Sequence, residues 1–181
     1  MLNWLARRAD AARKADNLYG AVVAQARQPA FYRDFGIADT LEGRFETVVL
    51  HMVLVLERLR GAAPDRDLQL LIERFVTDMD DCMREIGVGD MAVPKRVKRA
   101  AAALYERAEH YRGALADGDE ALQSALKAEF AKSSPAPRAR ALAGYVRAAA
   151  AALQAQALDE VLTADLAFPN PDAYAAAKEV P

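Results

Sequence analysis

Asp78, Asp80 and Asp81 lie within one helical turn, the kind of carboxylate group with which an all-helical prenyl-chain enzyme holds magnesium diphosphate. Such a site needs the spacing Asp-Asp-x-x-Asp, and Arg84 stands at its third position. At 100° per residue the aspartates also divide between two faces. Asp78, Asp81 and Glu85 share one flank, with Arg74 one turn earlier, whereas Asp80 turns towards Arg84. No second carboxylate-rich motif answers the first. The flank reads as solvated or partner-facing acidic surface, and the Arg74–Asp78 and Asp80–Arg84 pairs contribute only a few tenths of a kcal/mol each.

The other reactive residue types assemble no clearer chemistry. A di-iron bundle places Glu-x-x-His pairs on facing helices. Here the histidines are His51 and His110, with Val48 and Arg107 where the glutamates would be. His51 shares its helical wheel with Arg44 and Arg58, whose closeness would disfavour the imidazolium. Both histidines read as structural or exposed, and Glu106–His110 as a surface pair. Cys82 is the only cysteine, which excludes an intrachain disulfide and fits a reducing compartment. It lies near an apolar stripe with no base to activate it, so a buried inert thiol is expected. Lys95, Arg96, Lys98 and Arg99 form a basic run. That run suits anionic lipid, nucleic acid or a protein partner, or needs no partner as a solvated helix face.

The elements that must carry these residues are helices. Alanine, leucine, glutamate and arginine dominate the 181 residues, and β-branched runs are scarce. A first helix spans about Trp4 to Arg27 and ends at Pro29, with Leu5, Leu18, Val22 and Ala26 on its sticky side. Trp4 beside Arg7 and Arg8 suits either a lipid headgroup layer or packing against the body. Phe31, Tyr32 and Phe35 form an aromatic plug before Gly36. Thr40 caps the next helix, where Phe45, Val48, Val49, Met52, Leu56 and Leu59 recur at helical spacing. Leu50 and Leu54 fall on the opposite side, so this helix is central in a bundle or offers one side as a client groove.

A further helix, Asp65 to Ile86, carries Leu68, Leu71, Ile72, Phe75, Met79 and Ile86 inward. Gly87-Val88-Gly89-Asp90 ends it, with one or both glycines at positive φ. Pro94 opens the following helix, whose Val97, Leu104 and Tyr111 face inward. A short helix covers Glu120 to Ala131, a connector runs through Ser133, Ser134, Pro135 and Pro137, and a last helix spans Arg138 to Thr163. The spacing predicts an all-α fold: one bundle of about six helices over residues 31–163, a helical extension over 1–30, and an extended or mobile tail over 164–181.

Positive and negative charges nearly balance at a net of −2, so no global field points to a specific nucleic acid partner. The best apolar run, Val48 to Leu56, is interrupted by His51 and falls short of the roughly 20 residues a membrane span needs. The N-terminal residues lack the apolar stretch and cleavage site of a targeting peptide.

Several segments together resemble the ubiquinol–cytochrome c chaperone family, the assembly factors of respiratory complex III. They are Phe31-Tyr32, Gly36 through Glu46 (GIADTLEGRFE), Asp78-Met79-Asp80, Arg84 through Asp90 (REIGVGD), and Pro94-Lys95-Arg96-Val97-Lys98. The resemblance is strongest from Phe31 to about Leu115 and thins beyond Ala131. It implies a non-enzymatic, cofactor-free chaperone that binds newly made cytochrome b, attached peripherally to the cytoplasmic side of the inner membrane. The absence of a targeting peptide points to a bacterial member. By the same resemblance a small partner subunit and the ribosome are possible partners, and anionic lipid a possible contact.

Glu42, Arg44, Asp78, Asp81, Glu85, Gly87, Gly89, Asp90, Lys95, Lys98 and Arg99 are the candidate contact residues. Opposite charges at the two ends of one turn suit orientation of a polar loop of a membrane client. Two other classes stay open: an isoprenoid-synthase-like enzyme using Asp78 and Asp81 with magnesium, and a lipid- or RNA-binding scaffold using Lys95–Arg99.

Overall fold

The computed structural model describes residues 2–134 and 137–175, with side chains from residue 8 onward. Among the described residues every regular element is a helix: α1 (Leu2–Ala26), α2 (Pro29–Arg33), α3 (Leu41–Leu59), α4 (Asp65–Glu85), α5 (Val93–Asp117), α6 (Asp119–Phe130), α7 (Ala139–Ala155), α8 (Leu158–Leu162) and α9 (Asp172–Ala175). The all-α expectation is met, with six long helices carrying the bundle.

The apolar circumference of α3 makes it the axle. Val49, Leu50, Met52, Val55 and Leu59 are fully buried although they point in different directions around the helix. That requires neighbours on all sides, and α1, α5, α6 and α7 supply them. The outer helices pack in sequence around it, α1 on α4, α4 on α5, α5 on α6 and α6 on α7. The short helices close the ring, α9 against α7 and α8 against α1. Each fully buried leucine, valine or methionine contributes about 1.5–3 kcal/mol of transfer free energy.

Local rules set the ends of α3. The Thr40 side chain accepts a hydrogen bond from the Gly43 amide at 3.1 Å, the expected N-cap. Gly43 also permits a close approach, because a Cβ built on it would sit 2.0 Å from the Ala38 carbonyl oxygen. The aromatic plug starts in α2 and continues just past it, with Phe31 and Phe35 fully buried and both edge-on to the Tyr145 ring.

Three features of the helices differ from the pattern-based expectation. Ile86 is 54% exposed rather than inward, because α4 has already ended and its cap turns away from the body. Phe45 is half-buried, its ring tilted against Phe75 at 6.4 Å. The last helix stops at Ala155, and Arg58 reaches across to the freed carbonyls of Leu153 and Gln156, at 2.7 Å each. Residues 164–171 run irregularly along the bundle into α9, with Phe168 edge-on to His51 and Tyr174 edge-on to Tyr145.

The segment read as an extension places Leu18, Tyr19, Val22 and Ala26 in the shared core. The side chains of Trp4 and Arg7, the candidate lipid contact, lie outside the described residues, as do Pro135 and everything past Ala175. No described helix is long and apolar enough to cross a membrane.

Candidate partner-binding surface

The turn between α4 and α5 is built by capping rather than by packing. The Gly87 amide bonds to the Arg84 carbonyl and the Val88 amide to the Met83 carbonyl, both at 3.0 Å. These two bonds are the paired pattern of a glycine-terminated helix, and Gly87 takes the left-handed backbone it needs at φ 80°. Gly89 is not in that region; its carbonyl accepts from the Ala92 and Val93 amides instead. Arg84 clasps the turn from outside, donating to Asp80 at 2.6 Å and to Asp90 at 2.8 Å. Val93 anchors the far end in the core. The result is an ordered loop that leaves two apolar side chains in solvent: Ile86, and Met91 at 98% exposure.

The acidic flank separates on folding. Asp78 is half-buried and receives the Tyr19 hydroxyl at 2.8 Å, with the Arg74 guanidinium 3.8 Å away. Asp80 is held by Arg84. Asp81 and Glu85 stay exposed and make no ion pair among the described residues. The Cys82 thiol, expected to be buried and inert, is half-buried; partial desolvation raises its pKa, and Asp78 adds to the effect. No described cluster of three or more histidine, cysteine, aspartate or glutamate residues is arranged to hold a metal ion.

Lys95, Arg96, Lys98 and Arg99 are all exposed on the first turns of α5 and unpaired among the described residues. Tyr105, seven positions beyond Lys98 and so on the same face, is 58% exposed. Glu42 is exposed in the first turn of α3. Arg44, one turn into α3, is held by Asp39, which takes its Nε at 2.6 Å and its Nη2 at 3.2 Å. The structure thus gathers Asp81, Glu85, Gly87, Gly89, Asp90, Lys95, Lys98 and Arg99 around one turn. Asp78 is tied inward, and Glu42 and Arg44 lie on α3.

Two polar networks escaped sequence reasoning. His51, fully buried, faces the Thr47 carbonyl through Nδ1 and the Tyr145 hydroxyl through Nε2, both at 2.8 Å. A carbonyl only accepts, so Nδ1 carries the proton and Nε2 accepts from Tyr145. Gln25 donates to the Tyr145 oxygen at 3.0 Å, completing a chain from α1 through α7 to α3. Desolvation pulls the His51 pKa down to about 4, so the ring is neutral at pH 7. The neighbouring arginines of its wheel do not approach it; Arg44 goes to Asp39 and Arg58 to backbone carbonyls. The second network is Glu46–Arg107–Glu129–His110, with Arg107 bonded to Glu46 and to Glu129 at 2.9 Å each and His110 to Glu129 at 2.6 Å. Glu129, not Glu106, is therefore the partner of His110. Polar residues inside an apolar stripe were the available signal; their partners, 61 or more residues away for Arg107–Glu46 and His51–Tyr145, were not.

The sequence model of the ubiquinol-cytochrome C chaperone family matches residues 33–168, which extends the similarity well past Ala131 and includes the whole turn. Among solved structures, the crystal structure of the Cbp3 homolog from Brucella abortus matches with a TM-score of 0.81 and 33% identity. The match covers 95% of this chain and 98% of that one. No curated protein matches the chain.

Proposed function

The chain belongs to the ubiquinol–cytochrome c chaperone family, and we propose that it assists assembly of respiratory complex III by holding newly made cytochrome b at the α4–α5 turn. The observation that carries the surface is the exposure of Ile86 and Met91 on a loop that Gly87 and Arg84 keep ordered. A chaperone contact gains from apolar groups displayed without loss of loop entropy on binding. Asp81 and Glu85 on one side, and Lys95, Lys98 and Arg99 on the other, orient a client segment by charge.

The enzyme alternative is disfavoured, because Asp78 is engaged by Tyr19 and, among the described residues, Asp81 belongs to no group of carboxylates arranged to hold a metal ion. Family analogy alone supports a small partner subunit, the ribosome, and a peripheral position on the cytoplasmic side of the inner membrane as further parts of this reading. Contact with anionic lipid through Lys95–Arg99 is compatible with their exposure.

Deleting the gene in its host should lower assembled bc1 complex and the b-type haem spectrum while the cytochrome b transcript persists. A photo-crosslinker at Met91 or Lys98 should capture cytochrome b. The Met91→Asp and Lys95→Glu/Lys98→Glu variants should impair assembly and change stability by no more than about 0.5 kcal/mol, since each site is exposed. A normal spectrum in the deletion strain overturns the assembly role; normal assembly in both variants overturns the turn as its site.

A further inference from the structure

The chain has five methionines, and folding treats their sulfurs unequally. Met52 is fully enclosed in α3, and Met79 and Met83 are half-buried on α4. Met1 lies outside the described residues. Met91 stands at 98% exposure on the α4–α5 turn. The one thiol, Cys82, competes poorly for an oxidant. It is half-buried, and desolvation, with Asp78 and Glu85, raises its pKa and holds it protonated. The turn does not need the Met91 side chain for its shape. Backbone bonds from the Gly87, Val88, Ala92 and Val93 amides set it, and Arg84 clasps it through Asp90. An oxygen added at the Met91 sulfur therefore meets solvent and leaves the fold as it is.

On the reading of the α4–α5 turn as the client surface, on which this rests, we propose that Met91 is a reversible oxidation site at which hydrogen peroxide loosens the hold on the client. In the reaction the sulfur lone pair attacks one peroxide oxygen and the O–O bond breaks. The proton left on the new S–O group passes to the departing hydroxide, which leaves as water. Sulfur gives up two electrons and peroxide takes them, so no further reactant is needed. A methionine sulfoxide reductase reverses the change: two thiols become a disulfide, and the oxygen leaves as water. The thioether is apolar and polarisable, which lets it pack against varied surfaces. The sulfoxide is polar, and burying it against an apolar client without a hydrogen-bond donor is costly. Ile86, the other exposed apolar tip, has no sulfur. Oxidation thus removes part of the apolar contact and leaves the charges of Lys95, Lys98 and Arg99 in place.

The test begins with the purified full chain, exposed to hydrogen peroxide and followed by peptide mass spectrometry. Met91 should gain oxygen at least about tenfold faster than Met52, Met79 or Met83, as exposure dictates. Circular dichroism melts before and after should coincide. The same chain carrying a photo-crosslinker at Lys98 is then mixed with detergent-solubilised host membranes. Capture of cytochrome b should fall severalfold on oxidation and return after treatment with the reductase. In Met91→Leu, capture before and after peroxide should be equal, because that position then has no sulfur. Met79 or Met83 oxidising as fast as Met91 overturns the proposal. So does capture unchanged by Met91 oxidation, or a peroxide-driven loss that persists in Met91→Leu. No capture by the untreated chain overturns the turn as client surface, and the switch with it.

Discussion

The Tyr19 hydroxyl donates to Oδ2 of Asp78 at 2.8 Å, joining residues 59 positions apart and fastening α1 to α4. Burial raises the Tyr19 phenol far above its ordinary pKa, and the Asp78 hydrogen bond raises it further, so the phenol stays protonated as the donor. Arg74 stacks over the same ring at 5.4 Å and also reaches Asp16 at 3.0 Å. A carboxylate that looked available for a metal or a client is thereby part of the helix interface. Tyr19→Phe should cost about 1–2 kcal/mol in urea unfolding, the range for a partly exposed hydrogen bond to a charged group. Complex III assembly should stay intact in that variant. A stable variant that fails in assembly would return Asp78 to the binding surface.

Gly43→Ala should be more damaging than any other glycine-to-alanine change in the turn or the caps. Its Cβ would fall 2.0 Å from the Ala38 carbonyl oxygen and 3.4 Å from an Ile37 methyl, so the 37–40 connection has to shift. The shift also disturbs the Thr40 cap. A loss of about 2–4 kcal/mol is expected from the combined strain and cap damage. Gly87→Ala has open space and pays only for φ 80°, about 1 kcal/mol. Parallel thermal melts of the two variants check the order.

His51 should make the fold sensitive to mild acid. Its pKa is about 4 in the folded chain and 6.5 as the ordinary value, so the unfolded chain binds the extra proton first. Its contribution is fully present above pH 6.5 and is lost as pH falls towards 4. Between pH 7 and pH 5 the loss from this one group is about 2 kcal/mol. Urea unfolding of the parent and of His51→Gln across that interval should show a steeper decline in the parent. Parallel declines would mean that other groups carry the acid sensitivity.

Arg107 holds two glutamates, Glu46 and Glu129, in a little-solvated network. Desolvation raises the Glu46 carboxyl above its usual range, and the Arg107 hydrogen bonds oppose that rise. Arg107→Ala leaves Glu46 and Glu129 facing one another with little solvent, and a loss of about 3–5 kcal/mol at pH 7 is expected. Adding Glu46→Gln should recover part of it. A double variant no better than the single one would show that Arg107 acts through packing of its stem instead.

The half-buried Phe45 gives a smaller expectation than its place in the apolar pattern suggests. Phe45→Ala should cost about 2 kcal/mol, below the 3–5 kcal/mol of a fully enclosed ring, because solvent and Phe75 can fill part of the space. Chemical denaturation measures it directly.

Periodicity, caps and breakers were enough to read the helices, because those signals act within four residues. Thr40, Gly87 and the all-round apolar α3 each did what local physics predicts. The segments from Phe31 to Lys98 also carried the family, which the match over residues 33–168 bears out. Helix spacing alone placed Asp78 beside Asp81 and Ile86 on the inward stripe. Which carboxylate was free depended on Tyr19 crossing from another helix, and where the stripe ended depended on the Schellman-type cap after Glu85.

The buried networks were beyond local reasoning for the same cause. His51 needs Tyr145 and Gln25, and Arg107 needs Glu46 and Glu129, to compensate the desolvation of each polar group. The sequence by itself determined which residues form helices and which of their faces are apolar, since both follow from neighbours three and four positions apart. Tertiary structure alone decided which polar groups are partnered and which charges and apolar tips remain exposed, since desolvation and hydrogen bonding depend on residues brought together only by folding.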